Sequence, residues 1–111
     1  MADRRGAGRD AAFVEDIVDS CRAIETYTRG KRLSDFVGDA LLRDAVARRL
    51  FVIGEAAKNL SDALKGKHPT IDWKNIARLR DKLGHHYWAI EIEQVWDIVS
   101  RYVPSLRAAL E

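Results

Sequence analysis

The sequence has few of the residues that cross-link a small domain through disulfides or bind a metal. It contains one cysteine, two prolines and three histidines in 111 residues. One cysteine cannot form an internal disulfide, and Cys21 follows Phe13 and Ile17 at helical spacing, which predicts a small core residue. The sequence has no HExxH pattern, no carboxylate–histidine cluster with ligand spacing and no Gly-rich phosphate loop. We therefore expect neither a metal nor another cofactor.

Long apolar runs are also missing. No run approaches the length that crosses a bilayer, and the opening MADRRGAGRD lacks the apolar segment of a secretory signal. We expect a cytoplasmic protein that does not engage a membrane. Residues 1–9 are predicted to be a flexible basic tail, and residues 10–111 a single helical domain long enough to bury its own core.

Hydrophobic residues recur at helical steps along most of the chain, and no long stretch alternates with a period of two. A first helix is predicted to stop at Gly30. A second, long helix is predicted over residues 40–64, with a seam that alternates steps of four and three: Val46, Leu50, Ile53, Ala57, Leu60 and Leu64.

Two further helices complete the prediction. Asp72 is a suitable cap for a third helix that reaches Gly84. A fourth begins near Glu91, and Pro104 either kinks it or opens a short last helix. The fold class is therefore all-α, an antiparallel bundle of four and at most five helices.

Charge is distributed unevenly along the chain, although the net charge is only +2. Residues 10–25 carry five acids and one base, whereas residues 65–87 carry two acids and six bases. The basic stretch is either an ordinary solvated helix face or a surface for anions and polynucleotide backbone.

The stretch RDKLGHHYW, residues 80–88, gathers an arginine, two histidines and a tyrosine at the end of the basic region. Arg80 and Gly84 are one helical turn apart, so Arg80 and His85 can converge if the chain turns tightly at Gly84. A guanidinium holds a phosphate and an imidazole transfers protons near neutral pH. Such a pair suits metal-free cleavage of RNA by its own 2′-hydroxyl.

The chain resembles the HepT-like members of the HEPN superfamily over nearly its whole length. Four blocks carry the resemblance in order: FVEDIVDSCRAIETY, DAVARRLFVIGEAAKNLSDAL, HPTIDWKNIARLRDKLGHHYW and VWDIVSRYVPSLRAAL. The resemblance implies a helical HEPN bundle and a motif R-x-x-x-x-H-x-Y with a polar residue after the arginine. These positions are Arg80, Asp81, His85 and Tyr87 here. Asn is common where this chain has Asp81, so the negative charge is a departure.

The family consists of metal-independent endoribonuclease toxins that pair with a small nucleotidyltransferase antitoxin. Its members form homodimers that bring two motifs together, which implies an RNA cleft at the subunit interface. The antitoxin can silence the toxin by transferring AMP to the motif tyrosine, so the resemblance implies Tyr87 as the modified residue.

Roles follow from this resemblance and from side-chain chemistry. His85 is assigned as general acid or base, Arg80 as the phosphate clamp, Asp81 as its orienting partner and Tyr87 as part of the site wall. His86 fills the unspecified position of the motif and is expected to point elsewhere.

Several residues outside the motif keep more than one interpretation. Glu55 is either solvated, paired with an arginine such as Arg48, or facing the site. Lys74, Arg78 and Lys82 are candidate contacts to the RNA backbone or ordinary surface charges. The tryptophans are expected to pack in the core or an interface: Trp73, Trp88 and Trp96.

Two other functions remain open on the sequence. The chain could be a catalytically silent module that holds a nucleotidyltransferase or binds a nucleotide, because one fold hosts several functions. It could also be a structural helical dimer with an incidental basic face. An intact set of Arg80, His85 and Tyr87 favours the ribonuclease.

Overall fold

The computed structural model describes the backbone of residues 2–85 and 91–111, and the side chains of residues 8–84 and 91–111. Within these described residues the backbone forms seven α-helices and one π-helical turn. These are α1 (Ala2–Thr28), α2 (Leu33–Val37), α3 (Ala40–Lys58), α4 (Asp62–Lys67), α5 (Trp73–His85), α6 (Ile92–Asp97), the π turn (Ile98–Tyr102) and α7 (Val103–Leu110). No strand occurs within these ranges. The predicted all-α class is confirmed.

The bundle has four long members, with α6, the π turn and α7 forming the fourth. Helix α1 packs against α3 and α7, and α3 packs against α5. The core lies between them and includes Ile17, Cys21, Ile24 and Val46, all fully buried. The prediction that Cys21 is a core residue is confirmed. Burial, with the nearby charge of Glu25 second, raises the pKa of its thiol to about 12.

The first helix ends where the sequence predicts. Gly30 has φ of +73°, a left-handed conformation that glycine adopts without a steric penalty, and it turns the chain towards α2. At the other end, α1 includes residues 2–9. The predicted division of the chain at residue 10 stays a prediction.

The long second helix predicted over residues 40–64 is wrong, because it is broken into α3 and α4. Helix α3 ends at Lys58, and Ser61 begins α4 by accepting a hydrogen bond from the Leu64 amide with its side chain. The buried carboxylate of Asp10 accepts hydrogen bonds from the Ser61 amide at 2.8 Å and from its hydroxyl at 2.5 Å. These contacts to α1 satisfy polar groups that the break exposes.

Trp73, the first residue of α5, binds back to the end of α4 and to the residue that follows it. Its indole Nε1 lies 3.3 Å from the carbonyl oxygens of both Lys65 and His68. Asp72 caps α5 by accepting a hydrogen bond from the Asn75 amide at 3.1 Å, as predicted. The caps and the indole together fix where α5 starts.

The prediction that the tryptophans pack in the core or an interface can be checked for two of the three. Trp73 and Trp96 both pack against the core, and Trp96 lies 5.1 Å from Phe36 between ring centroids. Their predicted packing is confirmed. Trp88 lies outside the described residues.

Pro104 lies in the first turn of the short last helix α7, so the second predicted alternative, that it opens such a helix, is confirmed. The π turn precedes it, and the Val103 amide donates to the Ile98 carbonyl five residues back. Proline has no amide hydrogen to continue the ladder, so the wider turn coincides with the place where an α-helical bond is lost. No described helix is long and apolar enough to cross a membrane.

Candidate active site

The candidate site lies where Gly54 on α3 meets Arg80 on α5. Gly54 is buried on α3, and a β-carbon added to it would lie 2.3 Å from the β-carbon of Arg80 on α5. Real β-carbons do not approach so closely, so only glycine fits at this position. The absence of a side chain at Gly54 therefore allows Arg80 to lie directly against α3.

Two carboxylates hold the Arg80 guanidinium. Its Nε donates to Glu55 Oε2 at 2.6 Å, and its Nη1 donates to Asp81 Oδ1 at 3.0 Å. Lys58 Nζ reaches the same Asp81 oxygen at 3.5 Å. The Arg80 side chain is 22% exposed, which leaves one part of the cation open to solvent.

These contacts shift the pKa values of both partners. Hydrogen bonding to Glu55 first, and to Asp81 second, raises the pKa of Arg80 above its ordinary value. Hydrogen bonding to Arg80, followed by the charge of Lys58, lowers the pKa of Asp81. Arg80 therefore stays a cation and Asp81 an anion at any pH near neutrality.

A phenyl ring supports the same arginine. The guanidinium carbon of Arg80 lies 5.2 Å from the centroid of Phe51, and that of Arg48 lies 5.9 Å from it, both within cation–π range. Phe51 also lines an open cavity of about 410 Å³ with Asp44, Ala47, Arg48 and Leu83. Arg80 and Arg48 thus flank the ring beside a groove between α3 and α5.

The chain does not make the tight turn at Gly84 that would bring His85 towards Arg80. Helix α5 continues through Gly84 to His85, the last residue described before residue 91, and Gly84 keeps a negative φ. A β-carbon on Gly84 would lie 3.2 Å from the Phe51 ring, so this glycine permits close packing instead of a turn. Five residues along a helix correspond to a rotation of about 140°, so the backbone position of His85 does not share a face with Arg80.

The other motif residues are described only in part or not at all. The structure describes the backbone of His85 but not its side chain, and His86 and Tyr87 lie outside the described residues. The structure brings Asp81 and Glu55 to Arg80. The roles assigned to His85 and Tyr87 stay predictions.

The three predicted RNA contacts occupy another face of α5. Lys74, Arg78 and Lys82 are exposed and recur every four residues, which keeps them on one side of the helix. Lys82 lies about 200° around the helix from Arg80. The structure therefore gathers the three bases into a stripe separate from the Arg80 cluster.

Sequence reasoning left the partner of Glu55 open and missed Phe51. Glu55 does pair with an arginine, but the partner is Arg80 and not Arg48. The signal in the sequence was the neighbouring Gly54, because a glycine inside a helix that packs tightly often marks the approach of another backbone. Within the described side chains, no three His, Cys, Asp or Glu residues form a group that could hold a metal ion.

Comparisons with known proteins agree on one family. A family model described as "Ribonuclease HepT-like" matches residues 17–111. The chain is 45% identical over 94 residues to "Putative RNase MJ0127" of Methanocaldococcus jannaschii, covering 85% of this chain and 78% of the relative. It is 39% identical over 99 residues to "Probable ribonuclease HepT" of Thermococcus cleftensis, covering 89% and 90%.

A third relative is more distant. The chain is 36% identical over 94 residues to "Putative RNase TTE0752" of Caldanaerobacter subterraneus subsp. tengcongensis, covering 85% and 84% of the two chains. The comparison with solved structures found no match. On the family model and these relatives, the chain belongs to the HepT-like ribonuclease family of the HEPN superfamily.

Proposed function

We propose that this protein is a metal-independent endoribonuclease toxin that cleaves RNA with Arg80 and His85. The observation that carries the proposal is Arg80 itself, a cation fixed between Glu55 and Asp81 and still partly open to solvent. A preorganised cation costs little rearrangement when negative charge develops on a phosphate. Such an arginine suits a reaction whose main requirements are charge stabilisation and proton transfer.

The proposed reaction begins with attack of the ribose 2′-oxygen on the adjacent phosphorus. The 2′-hydroxyl loses its proton, the bond from phosphorus to the 5′-oxygen breaks, and that oxygen takes up a proton. His85 performs one of these transfers as general acid or base, and Arg80 stabilises the charge on the phosphate oxygens. The products are a 2′,3′-cyclic phosphate and a 5′-hydroxyl.

A homodimer is part of the proposal. Because the positions of Arg80 and His85 diverge around α5, a cleft formed by two protomers offers a way to combine both groups on one phosphate. The groove lined by Phe51, between α3 and α5, is open to solvent in the single chain. Light scattering that shows only monomers at micromolar concentration, with cleavage intact, would rule out a shared cleft.

The proposed partner is a nucleotidyltransferase antitoxin that modifies Tyr87. The phenol oxygen would bond to the α-phosphorus of ATP, with pyrophosphate as the leaving group and the phenol proton lost to solvent. The added AMP would bring bulk and negative charge to the motif and so repel RNA. Intact mass after co-expression should show one added AMP on the wild type and none on Tyr87→Phe, and an equal gain on both would place the modification elsewhere.

The chemistry is tested by the ends of the RNA products. Purified protein in excess EDTA should cleave RNA and leave 2′,3′-cyclic phosphate or 3′-phosphate ends with 5′-hydroxyls. Products with 5′-phosphates, or activity that disappears in EDTA and returns with magnesium, would contradict the proposal.

A further inference from the structure

A second groove lies between α5 and the π turn, on the side of α5 that bears the basic stripe. It has a volume of about 280 Å³, near the lower end of the size of small-ligand sites. Its lining residues come from α5, from α6 (Gln94) and from the π turn: Asn75, Ile76, Arg78, Leu79, Lys82, Gln94, Ile98 and Tyr102. Arg78 and Lys82 are two of the three predicted contacts to the RNA backbone, and the other lining residues have no role in the function proposed above.

The walls of the groove combine an apolar floor, an aromatic ring and positive charge. Ile76, Leu79 and Ile98 supply aliphatic surface. Tyr102, the last residue of the π turn, is 44% exposed, so much of its ring is accessible. An exposed tyrosine beside aliphatic side chains offers a flat surface on which a base can stack.

The positive charges on the rim are not neutralised by the groove itself. Arg78 and Lys82 are both exposed, and none of the described residues that line the groove is acidic. Arg78 Nη1 donates at 3.3 Å to Asn75 Oδ1, which is an uncharged acceptor. The nearby Asp97 on α6 is instead paired with Arg101 at 3.2 Å. The groove is therefore complementary to an anion, in contrast to Arg80 with its two carboxylates.

The position of the groove links it to the motif. Lys82 and His85 occupy backbone positions three residues apart on α5, which makes them neighbours along one helix face. A polynucleotide that passes the end of α5 would thus meet the groove within a short distance of the motif. The π turn supplies the opposite wall, and such turns occur frequently at functional sites.

We infer that this groove is a nucleotide subsite for single-stranded RNA, in which a base stacks on Tyr102 while flanking phosphates contact Arg78 and Lys82. The inference rests on the proposed ribonuclease function, because it describes how a substrate strand is held away from the cleaved bond. Stacking is tolerant of base identity, so the subsite adds affinity more than sequence preference.

The test measures binding separately from cleavage. A short fluorescent RNA with 2′-O-methyl groups lacks the attacking hydroxyl and is titrated with the full-length protein in an anisotropy assay. Tyr102→Ala should weaken binding about tenfold, the scale of one lost base stack, while Tyr102→Phe should bind like the wild type. Tyr27→Ala is the matched control, since it removes a similarly exposed tyrosine from α1, outside the groove, and should leave affinity nearly unchanged.

A second variant tests the charges. Affinity falls as salt rises, and in Lys82→Ala the plot of log affinity against log salt should be less steep by about 0.7, as expected for one lost phosphate contact on a single strand. Wild-type affinity in Tyr102→Ala with an unchanged salt slope in Lys82→Ala would overturn the subsite. A Tyr102→Ala protein that changes its oligomeric state in light scattering would also overturn it, by showing that the groove is a protein interface. Failure to cleave unmethylated RNA would count against the proposed function and leave the binding result intact.

Discussion

A β-carbon built on Gly54 would lie 2.3 Å from the β-carbon of Arg80, so α3 and α5 are in close contact at the arginine of the motif. The next residue, Glu55, binds the Arg80 Nε at 2.6 Å. One glycine and one acid on α3 thus determine how close the arginine lies and how its guanidinium is oriented.

Gly54→Ala should destabilise the protein by about 1–3 kcal/mol, because the added methyl group must push α3 away from α5. The free energy of unfolding from urea titration measures the change. Gly66→Ala is the control, since Gly66 lies in α4 and a β-carbon there meets nothing within 4 Å. That variant should not lose stability, and equal losses in the two proteins would contradict the close contact.

Asp10→Ala should cost about 1–3 kcal/mol, because it leaves the Ser61 amide and hydroxyl at the α3–α4 break without their buried acceptor. Asp16→Ala removes an exposed acid from the same helix and serves as the comparison in thermal or urea unfolding. If the Asp10 and Asp16 variants unfold at the same urea concentration, the contact does not stabilise the break.

The Cys21 thiol should be inert in the folded protein. Its pKa of about 12 lies above the ordinary value of 9.0, so folding lowers the fraction of reactive thiolate at every pH below 12. Iodoacetamide at pH 8.5 should alkylate the chain slowly in buffer and rapidly in urea, with mass spectrometry as the readout. The chain has one cysteine, so the mass change is unambiguous. Rapid alkylation without urea would show that the thiol is accessible.

Glu55→Gln should lower the kcat for RNA cleavage roughly tenfold, because the Arg80 guanidinium loses the anion that orients its Nε. Glu25→Gln is the matched control, since Glu25 pairs with Arg107 at 3.0 Å between α1 and α7. That variant should cleave like the wild type. A faster Glu55→Gln enzyme would mean that this carboxylate competes with the RNA phosphate for Arg80.

Local signals predicted the helices and several of their ends. The cap at Asp72, the stop at Gly30 and the burial of Cys21 each depend on residues close in sequence, which makes them readable from spacing and side-chain type. The break between α3 and α4 could not be predicted from the sequence. It involves a contact between Asp10 and Ser61, 51 residues apart, and the hydrophobic seam continues through it without interruption.

The candidate site was predictable in its motif and not in its surroundings. Arg80 and Asp81 could be named because the motif and the resemblance mark them. Glu55 lies 25 residues before Arg80, and its role depends on how α3 crosses α5, which no local pattern specifies. The groove at Tyr102 depends in turn on the π turn, and helical periodicity did not predict that element.

The most direct test of the account compares RNA cleavage rates in excess EDTA for the wild type, Arg80→Ala, His85→Ala and His86→Ala. Losing a phosphate clamp or a general acid–base group costs roughly a hundredfold or more, so the Arg80 and His85 variants should fall by at least that factor. His86→Ala removes the neighbouring imidazole and should change the rate far less. An inactive His86→Ala beside an active His85→Ala, or undiminished cleavage by Arg80→Ala, would contradict the assignment of the two groups that perform the reaction.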